Sequence, residues 1–150
     1  MKTIMNLRND LDNKLVTSEE LFNESNNKAH KYQEEFNSFV TIIDEFKKEE
    51  SDSLINGIPY ALKDNFSTKG ILSTSSSNIL KDYVPVYDAT VYKKLKSAGA
   101  ILVGKTVLDE LAMGGTGTTG HTGIEKHPWN KERQLGRSSS GPASSVALGN

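Results

Sequence analysis

With 150 residues, 35% of them hydrophobic and 25% charged, the chain is long enough to bury a core, and 18 Lys and Arg against 19 Asp and Glu leave a formal net charge of −1. That balance excludes a global electrostatic handle for nucleic acid or an anionic membrane, so any contact with RNA has to be local or made through a partner. The lack of cysteine excludes a disulfide framework and a cysteine zinc site, and no stretch approaches the roughly 20 apolar residues that cross a bilayer, which reads as a cytoplasmic protein with no membrane contact.

Between Leu15 and Lys48, the residues Leu21, Phe22, Ala29, Tyr32, Phe36, Phe39, Val40, Ile43 and Phe46 recur mostly at helical spacing, which predicts an amphipathic helix. Thr17 and Glu20 form a T-x-x-E capping box at its start, with Val16 and Leu21 placed for a hydrophobic staple. The asparagine-rich Asn23–Asn27 stretch weakens this helix, and the polar Lys47–Ser53 run reads as a linker. Residues 1–53 are therefore expected to form an N-terminal helical segment and 54–150 the first part of an α/β core.

From Leu54 onward, short apolar runs alternate with Gly, Pro and Ser. Ile58–Leu62 reads as a strand, Asp88 to Ala98 as a helix and Ala100–Val103 as a second strand, a β–α–β unit with parallel strands and a right-handed crossover. Asp88 is placed to cap that helix, Val91, Leu95 and Ala98 supply its apolar stripe, and Gly99 is its natural stop. Thr106 to Met113 reads as another short helix, and Gly114 to Gly141 as a long loop anchored by Pro128-Trp129. A loop of that length is more often functional than idle.

Several motifs carry chemistry or imitate it. Gly99-Ala-Ile-Leu-Val-Gly104-Lys105-Thr106 satisfies the phosphate-loop expression G-x-x-x-x-G-K-T, but the interval is itself the predicted strand and a helix precedes it, so the backbone N–H groups are not free to converge on a phosphate. Lys63 stands at the C-terminal end of the first predicted strand, where α/β folds place their sites. It is either a base with a depressed pKa or a surface lysine paired with Asp64. Gly136 to Ser145 is a run of small residues that lets backbone approach a substrate closely, although serine-rich loops also serve as plain connectors. His121 and His127 are not spaced as a metal pair, and no metal site is expected.

Taken in order, Gly57-Ile-Pro-Tyr-Ala-Leu-Lys-Asp-Asn65, Asp88-Ala-Thr90, Leu95 to Thr106, Asp109-Glu-Leu-Ala-Met-Gly114, Pro128-Trp-Asn130 and Gly136 to Gly149 resemble the amidase signature family. The resemblance covers residues 54–150 closely and the N-terminal helices loosely. It implies an α/β fold with a mixed sheet flanked by helices. It also implies a triad in which a lysine deprotonates a bridging serine held by a cis peptide, and that serine activates a nucleophilic serine for acyl transfer. Lys63 matches the lysine and Ser138 the bridging serine; Ser139 matches a supporting residue, and the backbone at Met113 and Gly114 the segment that contacts the substrate amide. The nucleophile of the family lies beyond the position of Asn150, so none is expected within 1–150. Arg137, Ser140 and Pro142 depart from the family, which more often has glycine or another small residue there.

Within the family, Thr74–Leu80 and the Asp-Glu-Leu-Ala-Met-Gly segment most resemble the glutaminase subunits of tRNA-dependent amidotransferases. That implies glutamine as substrate and ammonia as product, with no cofactor in this chain. ATP and Mg²⁺ would be used by a B subunit that amidates Glu-tRNA(Gln), with a small C subunit completing the assembly and tRNA reached through the complex. A stand-alone amidase of other specificity, or an inactive partner-binding fragment, are the competing expectations.

Overall fold

The computed structural model describes residues 2–150. Thr3 opens helix α1 (Ile4–Asp12) with a capping box closed by Asn6, and Thr17 opens α2 (Ser18–Phe36) with the box predicted from T-x-x-E. In α2 the Glu20 N–H donates to Thr17 Oγ1 and the Thr17 N–H donates to Glu20 Oε2, so two otherwise orphaned donors are satisfied.

The helix does not run on to Lys48. Asn37 takes a left-handed conformation (φ 55°, ψ 46°) that breaks the i→i−4 ladder. The Gln33 carboxamide then clamps the emerging backbone, accepting from the Phe39 N–H at 3.0 Å and donating to its carbonyl at 2.7 Å. Phe39–Ile42, read from spacing as helix, is instead strand β1. The spacing of Phe36, Phe39, Val40 and Ile43 suits a helix, but β-branched and aromatic residues after a left-handed stop also suit a pleated, half-buried strand.

Strand β2 (Pro59–Lys63), helix α3 (Thr90–Ser97) and strand β3 (Ile101–Thr106) form the expected β–α–β unit. The sheet order is β1-β3-β2, with β3 parallel to β2 and antiparallel to β1, so the sheet is mixed. Gly99 ends α3 at φ 75°, as predicted. Asp88 does not cap this helix; its carboxylate accepts from the Lys69 N–H, and the N-cap is Ala89.

All six residues of β3 are buried, as befits a central strand covered on both faces. Phe22 and Ala29 of α2 meet Phe39, Ile101 and Val103 in the core, with Phe46 set against the Phe22 ring at 5.7 Å between centroids. Burying a side chain such as Phe22 contributes roughly 1.5–3 kcal/mol. Ile101–Val103 of the phosphate-loop interval belong to strand β3, and Lys105, further along the same strand, has no exposed surface.

Thr106 to Met113 is not a helix. Thr106 completes β3, Val107 and Leu108 are buried in its continuation, and only Glu110–Ala112 makes a 3-10 turn, with Leu111 and Ala112 at positive φ. A second such turn spans Asn78–Leu80. Helix α4 (Ser140–Leu148) closes the described chain. Among the described residues, no helix is long and apolar enough to cross a membrane.

Candidate active site

Strand alternation decides where the two charges at the end of β2 go. Asp64 turns inward, is fully buried, and meets Lys105 at 3.1 Å rather than Lys63. Lys105 Nζ also donates to the Phe66 carbonyl and to the Thr68 and Ser73 hydroxyls, and Asp64 Oδ2 accepts from the Thr74 N–H and hydroxyl. Burial pushes the Lys105 ammonium below its ordinary pKa, and the Asp64 carboxylate opposes that fall. The three Lys105 donors are taken by those oxygens, so Asp64 Oδ1 meets the ammonium as an ion pair without a hydrogen bond of its own; removing one member would leave a buried charge unpaired, at a cost of about 3–5 kcal/mol.

Lys63 therefore has no carboxylate partner. Its Nζ donates to Ser138 Oγ and to Ser139 Oγ, each at 2.8 Å. Burial lowers its pKa from the ordinary lysine value, while the nearby Asp109 carboxylate raises it. The structure thus brings three of the sequence-predicted residues, Lys63, Ser138 and Ser139, into one hydrogen-bonded group.

The serine loop is held from beneath by backbone. The Asp109 N–H donates to the Ser138 carbonyl at 3.2 Å, and the Gly141 N–H donates to the Val107 carbonyl at 3.1 Å. A Cβ on Gly141 would stand 2.4 Å from that carbonyl oxygen, so only glycine allows α4 to start this close to the end of β3. Ser38 and Ser144 join hydroxyls at 2.7 Å on the same buried side. No peptide bond among the described residues is cis, so the cis peptide implied at Ser138 is absent. Of the three departures from the family, Pro142 falls in the first turn of α4, where a missing N–H costs little; Ser140 begins that helix buried; Arg137 is exposed.

Met113 and Gly114 lie apart from this group. Met113 is 82% exposed, and Gly114 backs directly onto the side chain of Asp109. Neither makes a hydrogen bond to Lys63 or Ser138.

Sequence reasoning missed three further residues. Asp109 is fully buried and accepts from the Gly117, Thr118 and Thr119 N–H groups and the Thr119 hydroxyl. Burial raises its pKa, but these donors more than offset that and hold the carboxyl below its ordinary value. Ser76, at φ 50°, accepts from the Leu108 N–H, and its carbonyl accepts from the His121 N–H, tying the 74–77 turn to the long loop. Glu125 is only 3% exposed, with both carboxyl oxygens unbonded beside an equally unbonded Ser140 hydroxyl. The signal for the two acids is position: Asp109 follows a buried strand, and Glu125 stands beside Ile124 in a loop that holds one other acid, Glu132. No group of three or more His, Asp or Glu comes together as a metal site among the described residues.

The chain matches the family model described as Amidase over residues 17–150. The A subunit of glutamyl-tRNA(Gln) amidotransferase from Saccharolobus solfataricus is 43% identical over 153 aligned positions, covering 97% of this chain and 32% of that protein. The protein of the same name from Streptococcus pneumoniae is 42% identical over 158 positions, covering 99% and 32%. Among solved structures, the corresponding protein from Thermotoga maritima superposes with a TM-score of 0.80 at 37% identity, over 87% of this chain and 28% of that one. A 6-aminohexanoate cyclic dimer hydrolase superposes with a TM-score of 0.88 over 98% and 32%, and at 24% identity it shares the fold alone. The chain spans about a third of the length of the curated relatives it matches.

Proposed function

The chain belongs to the amidase family, and from that premise we propose that it carries the base and bridging serine of the glutamine-hydrolysing component of a tRNA-dependent amidotransferase. The observation that carries this reading is the 2.8 Å contact between Lys63 Nζ and Ser138 Oγ. Two relatives named as a component of that enzyme, both above 40% identity, support the narrower choice over a stand-alone amidase.

A serine hydroxyl is a poor nucleophile until a base takes its proton. In the proposed reaction neutral Lys63 accepts the proton of Ser138, while Ser138 takes the proton of the nucleophilic serine, which the family carries beyond the position of Asn150. The nucleophile's oxygen bonds to the amide carbon of glutamine. The C–N bond then breaks, and the nitrogen leaves as ammonia with the proton returned through Ser138. Water hydrolyses the resulting ester by the same relay. Burial of Lys63 favours its neutral form, the form this role requires. Ser139 holds Lys63 from a second side, and the backbone at Met113 and Gly114 would face the substrate amide.

The ammonia would pass to a B subunit that uses ATP and Mg²⁺ to amidate Glu-tRNA(Gln) in the cytoplasm, with a small C subunit completing the complex. The test is ammonia release from glutamine by the full reading frame, produced with those two partners. The reading expects release that Lys63→Ala abolishes. Hydrolysis of simple amides with no release from glutamine would contradict it and favour a stand-alone amidase.

A further inference from the structure

Asp109 ends the buried run that continues β3, and it is bonded in two directions at once. Its own N–H donates to the carbonyl of Ser138. Its carboxylate accepts from the N–H groups of Gly117 at 3.0 Å, Thr118 at 3.1 Å and Thr119 at 3.4 Å, and from the Thr119 hydroxyl at 3.0 Å. Its side chain does not cap the 110–112 turn that follows it, although its carbonyl accepts from the Ala112 N–H. Gly114 lies so close that a Cβ there would stand 2.3 Å from Asp109 Cγ. One fully buried residue therefore touches the Ser138 loop, the 117–119 loop and the backbone of Gly114.

We propose that Asp109 is a positioning residue of this site, holding the Ser138 loop through its backbone N–H and the 117–119 loop through its carboxylate, and so fixing the Lys63–Ser138 pair relative to the backbone at Gly114 with a carboxylate kept near Lys63. The proposal rests on the amidase reading for what the pair does, but the geometry it describes is independent of substrate. The 117–119 loop hangs from the carboxylate and the Ser138 loop from the backbone N–H of the same residue, so a change in the side chain that shifts this residue displaces each loop relative to the other. A displacement on the order of 1 Å in such a site lowers turnover by about 100-fold. The charge has a separate consequence. Lys63 donates to the Ser138 and Ser139 hydroxyls and feels the Asp109 carboxylate, which in turn acts on Glu125. Of these, the carboxylate of Asp109 opposes the loss of the Lys63 proton.

The test is Asp109→Asn in the full reading frame, read in two ways. Competitive acetylation of Lys63 as a function of pH, followed by mass spectrometry of its peptide, reports the lysine titration with no need for activity. Asp109→Asn is expected to move that midpoint to lower pH. In the same variant, ammonia release is expected to fall about 100-fold with the acid limb of kcat/KM also displaced to lower pH. An unchanged Lys63 midpoint overturns the proposal, even where turnover falls, because a merely structural residue would produce that loss alone. If the wild type releases no ammonia, the proposed function fails while the labelling midpoint still decides the role of Asp109. Should Asp109→Asn not fold, Gly114→Ala drives a methyl group into the same side chain. That variant keeps the charge but displaces the side chain, so ammonia release is expected to fall, and wild-type turnover would contradict the proposal.

Discussion

Glu125 is a buried carboxyl group with the Ser140 hydroxyl as its neighbouring donor and no hydrogen bond closed between them. Burial pushes it up to about 8, the neighbouring Ser140 hydroxyl works against that rise, and Asp109 adds to it. Because its folded pKa lies above the unfolded value near 4.5, the folded state binds the proton more tightly. The contribution of this group to stability is then fully present below about pH 4.5 and is lost as pH rises through 8, by at most about 5 kcal/mol. Glu125→Gln removes the ionisation, so the variant is expected to melt well above the wild type at pH 8.5 and close to it at pH 5. Equal wild-type and variant melting temperatures at both pH values would contradict the burial of this group. At this scale the sequence is legible only in part. Lys63 stands out at a strand end and Ser138 in a small-residue run, whereas Asp109, Glu125 and the Asp64–Lys105 pair depend on which way side chains point, which spacing alone does not tell.

At the level of elements, caps read more clearly than periods. Thr17 and Glu20 mark the start of α2, and Gly99 marks the end of α3, because a short polar side chain or a glycine at those positions satisfies a specific backbone need. The apolar period of Phe36, Phe39, Val40 and Ile43 misleads, because the left-handed turn at Asn37 changes element in the middle of it. The Thr106–Met113 stretch misleads for a related reason: Val107 and Leu108 continue a strand into the core, and the turn that follows has two residues at positive φ. If the Thr17 hydroxyl holds the first turn of α2, Thr17→Ala should cost about 1 kcal/mol. Amide exchange over Ser18–Leu21, followed in the full reading frame, should then speed up about fivefold. An unchanged exchange rate would show that the cap does not hold the turn.

For the whole molecule, β1 and β2 are the outer strands of the three-stranded sheet, and Ile79, Val86 and Trp129 are each more than 80% exposed. Residues 1–150 produced alone are therefore expected to bind an apolar dye and to melt over a broad range. A single sharp transition without dye binding would contradict this. The amidase fold is legible in the sequence through an ordered series of motifs, each weak alone, and the mixed sheet agrees with it. The central claim is that Lys63 and Ser138 act as one unit, and it is tested most directly by ammonia release from glutamine in Lys63→Ala, Ser138→Ala and the double variant of the full reading frame. The account predicts that each single change lowers the rate by about 10³-fold or more, with the double variant no slower than the slower single one. A Ser138→Ala variant that keeps the wild-type rate, or losses that multiply in the double variant, would contradict it.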